Sequence, residues 1–246
     1  MDEPRKKYLS ATQINMFLHY PKQFETRYIQ GIKTPPTGAM IQSQIWHRTL
    51  EENYRQKIST GKDFPLSQML ELYAGYFDHI FKNEEISLKP GENAAKLKDQ
   101  GLAITKAHHE TIAPIVFPAK VEERFEVSLG ADFPYCLVGI WDLIDTEGCI
   151  VDNKAFGRLP TQEEVDDNVQ LSVYSLAYRL VNDRVEKGLR FDVVVKGKEP
   201  RPIQIHTKRT NDHCRWLLGV MERMADILES GRFETHQTAN YPLRRS

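Results

Sequence analysis

The stretch that decides the fold runs from Gly139 to Tyr174 and reads GIWDLIDTEGCIVDNKAFGRLPTQEEVDDNVQLSVY. One apolar alternating run carries Asp142, the next carries Asp152 and Lys154, and Thr146-Glu147-Gly148 is a turn between them. Two strands joined as a hairpin bring these three polar side chains to one end of a sheet. Side chains alternate along a strand, so Asp152 and Lys154 share a face. Carboxylates are the hard oxygen ligands that Mg²⁺ or Mn²⁺ prefers. Lys154 has three donors and no acceptor, so its place is beside a metal-bound water or an attacked phosphate, as an orienting group, a base or a charge stabiliser. Taken alone, Asp152 and Lys154 are better read as a solvated ion pair on the polar face of an edge strand.

The surroundings of that pair separate the two readings. Gly139-Ile140-Trp141-Asp142-Leu143-Ile144, then Asp152-Asn153-Lys154, then Gln170-Leu171-Ser172-Val173-Tyr174 follow one another, and upstream stands His47-Arg48-Thr49-Leu50-Glu51. In this order the four elements resemble the RecB-like branch of the PD-(D/E)XK nuclease superfamily, which includes CRISPR-associated exonucleases and phage recombination nucleases. Asn153 departs from the aromatic or apolar residue usual at the middle of the (D/E)-x-K element. The resemblance implies a restriction-endonuclease-like α/β core and metal-dependent cleavage of DNA phosphodiesters. It assigns His47, Asp142 and Asp152 to one or two Mg²⁺ or Mn²⁺ ions, and Lys154, Gln170 and Tyr174 to the catalytic apparatus. Family members often carry a glutamate on the preceding strand, and either Glu122 or Glu123 fits that position.

The chain has 246 residues, 40% of them hydrophobic and 27% charged, which is ample for a sizeable core. Its 33 basic and 34 acidic residues leave a net charge of −1, which excludes coating of nucleic acid through bulk positive charge. Local basic clusters stand at Arg5-Lys6-Lys7, at Lys196 with Lys198 and Arg201, at Lys208-Arg209 and at Arg244-Arg245. They matter for DNA only if they converge on one groove. There is no secretory signal and no apolar run near the ~20 residues of a membrane span, so an intracellular, cytoplasmic protein of a bacterial or phage-infected cell is expected. Cys136, Cys149 and Cys214 lack paired metal-ligand spacing and read as buried free thiols.

Along the chain, Ser10-Ala11-Thr12-Gln13 is a capping box that opens a helix to about His19, and Pro21 starts another segment. A long helix is expected over Gly38–Lys57, with Ile41, Ile45, Leu50 and Tyr54 on its buried side. It carries His47, which reads either as a ligand or as a core histidine bonded to a carbonyl. Glu51 reads as a bond to a neighbouring helix or a support of the site. Helices over Leu66–Phe81 and Ala94–Ala113, a strand over Ala119–Leu129, and one helix over Gln162–Asn182 capped by Thr161 follow. On that last helix Gln170 and Tyr174 share a face, either to tie it to the sheet or to meet water, phosphate and the scissile strand. Arg158, in the loop before it, is a candidate phosphate clamp. Strands at Phe191–Val195 and Pro202–His206 and a helix over Asp212–Ser230 stopped by Gly231 complete the pattern.

Relatives with an iron–sulfur cluster place a cysteine before the proline and more in the tail. Here Tyr20 precedes Pro21, and the tail Phe233–Ser246, including Tyr241-Pro242, contains no cysteine, so no cluster is expected. The whole chain is expected to form one nuclease domain: a mainly helical part over 1–118, an α/β core over 119–232 with a central mixed sheet flanked by helices, and a tail over 233–246. The function implied is that of a DNA nuclease, an exonuclease of recombination, repair or phage DNA processing, with DNA and possible recombination or repair proteins as partners. The rival reading is a non-catalytic DNA-binding or assembly module on the same fold.

Overall fold

Strand β3 (Tyr135–Asp145) is the member of the sheet on which the others are arranged. The structure, a computed structural model, describes residues 7–130 and 132–231, so the expectations for Arg5-Lys6, the tail 233–246 and Arg244-Arg245 fall outside the described residues. Along one edge β3 runs antiparallel to β2 (Pro118–Ser128). Its other edge is shared: β1 (Lys7–Ser10) lies parallel to Tyr135–Val138, and β4 (Cys149–Phe156) pairs antiparallel only at Leu143 and Ile144. Residues 139–142 therefore have no strand partner on that edge, and the sheet forks there. Beyond β4, β5 (Gly188–Val195) is parallel to it and β6 (Arg201–Thr207) closes the order antiparallel to β5. The result is a mixed sheet flanked by helices, as the sequence implies.

Two apolar cores cover the sheet. One holds Phe125, Val127, Leu137 and Trp141 and packs against α1 (Ala11–His19), α7 (Val169–Asn182) and α8 (Asn211–Ser230). The other holds Val121, Leu143, Val151 and Val194 under α3 (Gly38–Thr60), α4 (Leu66–Asn83) and α5 (Ala94–Thr111). Regular alternation would keep Val121 with Phe125, and Trp141 with Leu143, on one side. They change sides because Val121 pairs with Leu143 and Glu123 with Trp141, while Glu122 and Asp142, opposite one another by register, form no ladder pair. Glu122 has φ +48°, in the left-handed region that non-glycine residues rarely occupy.

Most elements begin and end where local chemistry predicts. Ser10 and Gln13 close the capping box of α1, with Ser10 N–H donating to Gln13 Oε1 at 2.8 Å. Helix α3 extends to Thr60 and ends at Gly61 with φ +73°, and α8 ends at Gly231 with φ +64°. Three points add to or correct the sequence reading. Strand β1 was hidden because its four residues bury only Leu9, too short a run to show a period. After Pro21, α2 (Pro21–Phe24) passes into a π turn over Glu25–Ile29.

The third correction is the helix expected over Gln162–Asn182, which is two: α6 (Gln162–Asp166) and α7. Asp166-Asp167-Asn168 are weak helix formers whose side chains compete for the backbone, and Asn168 Oδ1 accepts the Leu171 N–H to start a new helix. The buried Arg209 guanidinium donates to the carbonyls of Val165 and Asn168 at 3.1 and 2.9 Å, satisfying groups that the break exposes. Cys149 and Cys214 are buried as expected, whereas Cys136 is only half-buried.

Gly139 fixes how closely β2 and β3 meet. A Cβ there would stand 2.4 Å from Phe125 Cζ, in a ring packed 4.5 Å from Trp141. Gly139→Ala is expected to lower stability by about 1–3 kcal/mol in chemical denaturation. Gly157→Ala, where an added Cβ meets nothing within 4 Å, should stay within about 0.5 kcal/mol of the parent protein.

Candidate metal centre

The break in the β2–β3 ladder puts two carboxylates side by side, and α3 brings an imidazole to them. Helix α3 packs on both β2 and β4, with Ile45, Trp46 and Leu50 buried on either side of His47. His47 Nδ1 stands 3.3 Å from Asp142 Oδ2 and 4.0 Å from Glu122 Oε1. One ligand atom from each of His47, Glu122 and Asp142 lies within 4.8 Å of the other two. Asp142 Oδ2 also accepts the Asn153 N–H at 2.9 Å, a backbone bond across the fork in the sheet.

Asp152 lies next to this triplet on β4 and is fully buried. Lys154 Nζ stands 2.7 Å from Asp152 Oδ2, as expected of two residues on one face, yet no donor is aligned to hydrogen-bond either Asp152 oxygen. Gln170 Nε2 donates to the Tyr174 hydroxyl at 2.8 Å, one turn apart on α7, and Trp141 Nε1 donates to the Tyr174 carbonyl at 3.2 Å. Tyr174 is close enough to the acids for Asp142 and Asp152, together with burial, to hold its hydroxyl well above the usual phenol range.

The charges in the site are out of balance. Burial pushes the Glu122 carboxyl up to about 8, with Asp142 and Glu51 adding to the rise. Burial pushes Asp152 up to about 7, opposed by Lys154 and reinforced by Asp142. Asp142 is raised by burial against the pull of Lys154. Burial, then Lys154, push His47 down to about 4, which leaves a neutral ring with a lone pair to give. Burial disfavours the Lys154 ammonium, but Asp152 and Asp142 outweigh it and raise its pKa.

Three crowded acids, one neutral imidazole and orphaned carboxylate oxygens are a donor set that fits a divalent cation. A cation would supply the positive charge that one ammonium does not.

Several candidates from the sequence lie elsewhere. Glu123 turns to Lys120 at 2.8 Å, so of the two strand glutamates it is Glu122 that reaches the cluster. Glu51 accepts from Arg55 on its own helix at 2.9 Å rather than from a neighbouring one. Arg158 is held by Glu164 at 2.8 Å and Lys7 by Glu229 at 2.6 Å. Lys196 donates to Gln42, and Arg209 is buried and bonded within the fold. The backbone of Asn153 was not foreseen, and nothing in the sequence marks it. The tandem Glu122-Glu123 was a usable signal, because consecutive strand residues face opposite ways and one of them must reach the site.

The comparisons with known proteins bear on the fold and the family. No curated protein matches the chain. A crystal structure from Eubacterium rectale, of a protein described provisionally as an exonuclease, superimposes with a TM-score of 0.58 at 14% sequence identity, covering 93% of this chain and 84% of that one. Among the described residues no helix is long and apolar enough to cross a membrane. The sequence profile of the PD-(D/E)XK nuclease superfamily matches residues 8–241, nearly the whole length, and the chain belongs to that superfamily.

Proposed function

We propose that the protein is a Mg²⁺- or Mn²⁺-dependent deoxyribonuclease that hydrolyses phosphodiester bonds from DNA ends, in recombination, repair or phage DNA processing. The observation that carries this reading is the meeting of His47, Glu122 and Asp142 within 4.8 Å, with the Asp152–Lys154 pair beside them. His47, Asp142 and Asp152 hold the ion, and Glu122 joins them as a further ligand. When bound, such an ion polarises the phosphate and lowers the pKa of its water.

The remaining roles belong to the chain itself. Lys154, whose ammonium its acidic neighbours stabilise, donates to the attacking water or to a phosphate oxygen and stabilises the charge that grows there. Asn153 N–H fixes Asp142 Oδ2, the oxygen that also faces His47, so the carboxylate keeps its orientation at the site. Gln170 occupies the Tyr174 hydroxyl as acceptor, leaving the phenolic proton to meet the phosphate of the cut strand. Burial of Asp142 and Asp152, with Lys154 half-buried beside them on a strand pair, keeps these groups within the narrow geometry that phosphoryl chemistry needs.

End-labelled linear DNA and circular DNA, each incubated with Mg²⁺ or Mn²⁺, test the reading. Digestion of the linear form with survival of the circle is expected. Asp142→Ala and Lys154→Ala should each abolish cleavage; Asp142→Ala should fold with a melting temperature near the parent's, whereas Lys154→Ala, which leaves Asp152 buried without its partner, should melt lower while keeping a folded circular-dichroism spectrum. Full activity in either variant would exclude this site, and retention of DNA without fragments by the parent protein would favour a binding module.

Ion binding is also visible in stability. The folded protein holds protons on Glu122 up to about pH 8 and on Asp152 up to about pH 7, where free carboxyls have lost them. Stability therefore falls as pH rises through this range. His47 and His108, depressed to about 4 and about 3, act with the opposite sign, but only below their ordinary 6.5. Between pH 6.5 and 8 the chelated protein should lose melting temperature steadily, Glu122→Gln should flatten that loss, and Mn²⁺ should raise the melting temperature more at pH 8 than at pH 6.5. A melting temperature indifferent to both pH and Mn²⁺ would count against the ligand set.

A further inference from the structure

The helical cover over α3–α5 protects only half of its side of the sheet. It spans Val121, Leu143, Val151 and Val194, on the far side of the ladder break. On the near side no described helix covers the same sheet surface: Cys136, Val138 and Ile140 on β3, Arg124 and Glu126 on β2, and Tyr8 on β1 line a groove of ≈ 440 Å³. It ends two residues short of Asp142 on β3 and of Glu122 on β2. Ile140 and Arg124 are the last lining positions before the ladder break that holds Asp142 and Glu122, so the groove adjoins the candidate metal centre along both strands.

Three properties of the groove describe its occupant. Tyr8 is 58% exposed and Ile140 45% exposed, so an aromatic ring and an aliphatic side chain face solvent with no described partner across them. The one cation in the lining, Arg124, is mostly exposed and stands 3.8 Å from Glu126, so the lining is close to neutral. Neither neighbouring lysine adds charge: Lys120 is paired with Glu123 and Lys7 with Glu229. A duplex hides its base faces by stacking and offers two phosphate rails, which call for an array of cations. An unpaired strand offers bare base faces, which stack on aromatic side chains with little dependence on sequence, and a single phosphate line tracked by cations, of which this lining supplies Arg124.

We propose that this groove is the subsite for the single-stranded nucleic acid that leads into the metal centre. A base stacks on Tyr8, Val138 and Ile140 form the apolar floor, and Arg124 takes a phosphate, exchanging Glu126 for it. The enzyme then acts on unpaired or frayed ends, since paired bases cannot lie on this surface. The inference rests on the phosphodiesterase reading of the adjacent site for its purpose, and on the groove's own chemistry for its ligand.

The test separates the two. Fluorescence anisotropy of labelled oligothymidylate with the full chain in chelating buffer reads the groove without cleavage. Tyr8→Ala should weaken binding by about 5- to 100-fold, the range for loss of one stacked base, and Tyr8→Phe should restore it. Arg124→Ala should weaken it and reduce its salt dependence by about one phosphate contact. Both side chains are solvent-facing, so unchanged melting temperatures are expected. Hydrolysis of bis(4-nitrophenyl) phosphate with Mn²⁺, a diester too small to reach Tyr8, should proceed equally in these variants, while KM for a single-stranded oligonucleotide rises. Parent-like oligonucleotide binding by Tyr8→Ala and Arg124→Ala would overturn the proposal, as would equal weakening for duplex. Failure of the parent protein to hydrolyse either ester would sink the phosphodiesterase reading, and the anisotropy would still decide the groove.

Discussion

The structure turns on a defect in hydrogen bonding: Glu122 and Asp142 oppose one another and do not pair. A residue at φ +48° in mid-strand costs on the order of 1–3 kcal/mol, and persists only where its surroundings over-determine it. Those surroundings are the two cores. Phe125 and Trp141 anchor the strands to α1, α7 and α8, Val121 and Leu143 anchor them to α3–α5, and a regular pleat cannot serve both. Moving the pleat by one residue would bring an acid into a core, where an uncompensated carboxylate is far costlier than the strain. The same defect places both carboxylates in the seam between the cores, where α3 delivers His47.

The electrostatics follow from this placement. A seam between two apolar cores is dry, and dryness is the first cause of the upward shifts of Glu122, Asp142 and Asp152. Lys154 partly offsets them, as does the Asn153 N–H on Asp142. The chain alone leaves the site short of positive charge, so proton uptake and cation binding become competing ways of neutralising the same carboxylates. A cation would be held more strongly as protons leave.

Much of this was legible in the sequence, for reasons that differ by element. The helices from Gly38 to Thr111 were visible because each repeats apolar residues at helical spacing over four or more turns. Asp152 and Lys154 were legible as neighbours because two residues apart on a strand is a rule of geometry, and the 2.7 Å contact is its consequence. Glu122 could be narrowed to a pair but not chosen, since the choice depends on a backbone flip dictated by packing on both sides of the sheet. The break between α6 and α7 was missed because Arg209, forty residues downstream, satisfies the exposed carbonyls, and no local window contains it. Strand β1 was missed because four residues cannot display a period, though they determine where Tyr8 stands.

That last element bears on how the ends of the chain are joined. The cysteines that close some relatives are absent from this sequence, so closure must come from elsewhere. Leu9 of β1 and Phe17 of α1 are fully buried in the same core as Met221, Met224 and Ile227 of α8. Glu229 near the end of α8 accepts from Lys7 at 2.6 Å and from the Tyr135 hydroxyl at 2.7 Å. The ion pair is half exposed and contributes at most about 1 kcal/mol, whereas each buried aliphatic or aromatic side chain contributes about 1.5–3 kcal/mol. Apolar packing therefore holds the ends together, and the pair selects the register of β1 on β3. A slip of one residue would bury Tyr8 and expose Leu9, so the contact that joins the two ends also decides which side chain lines the groove beside the metal centre.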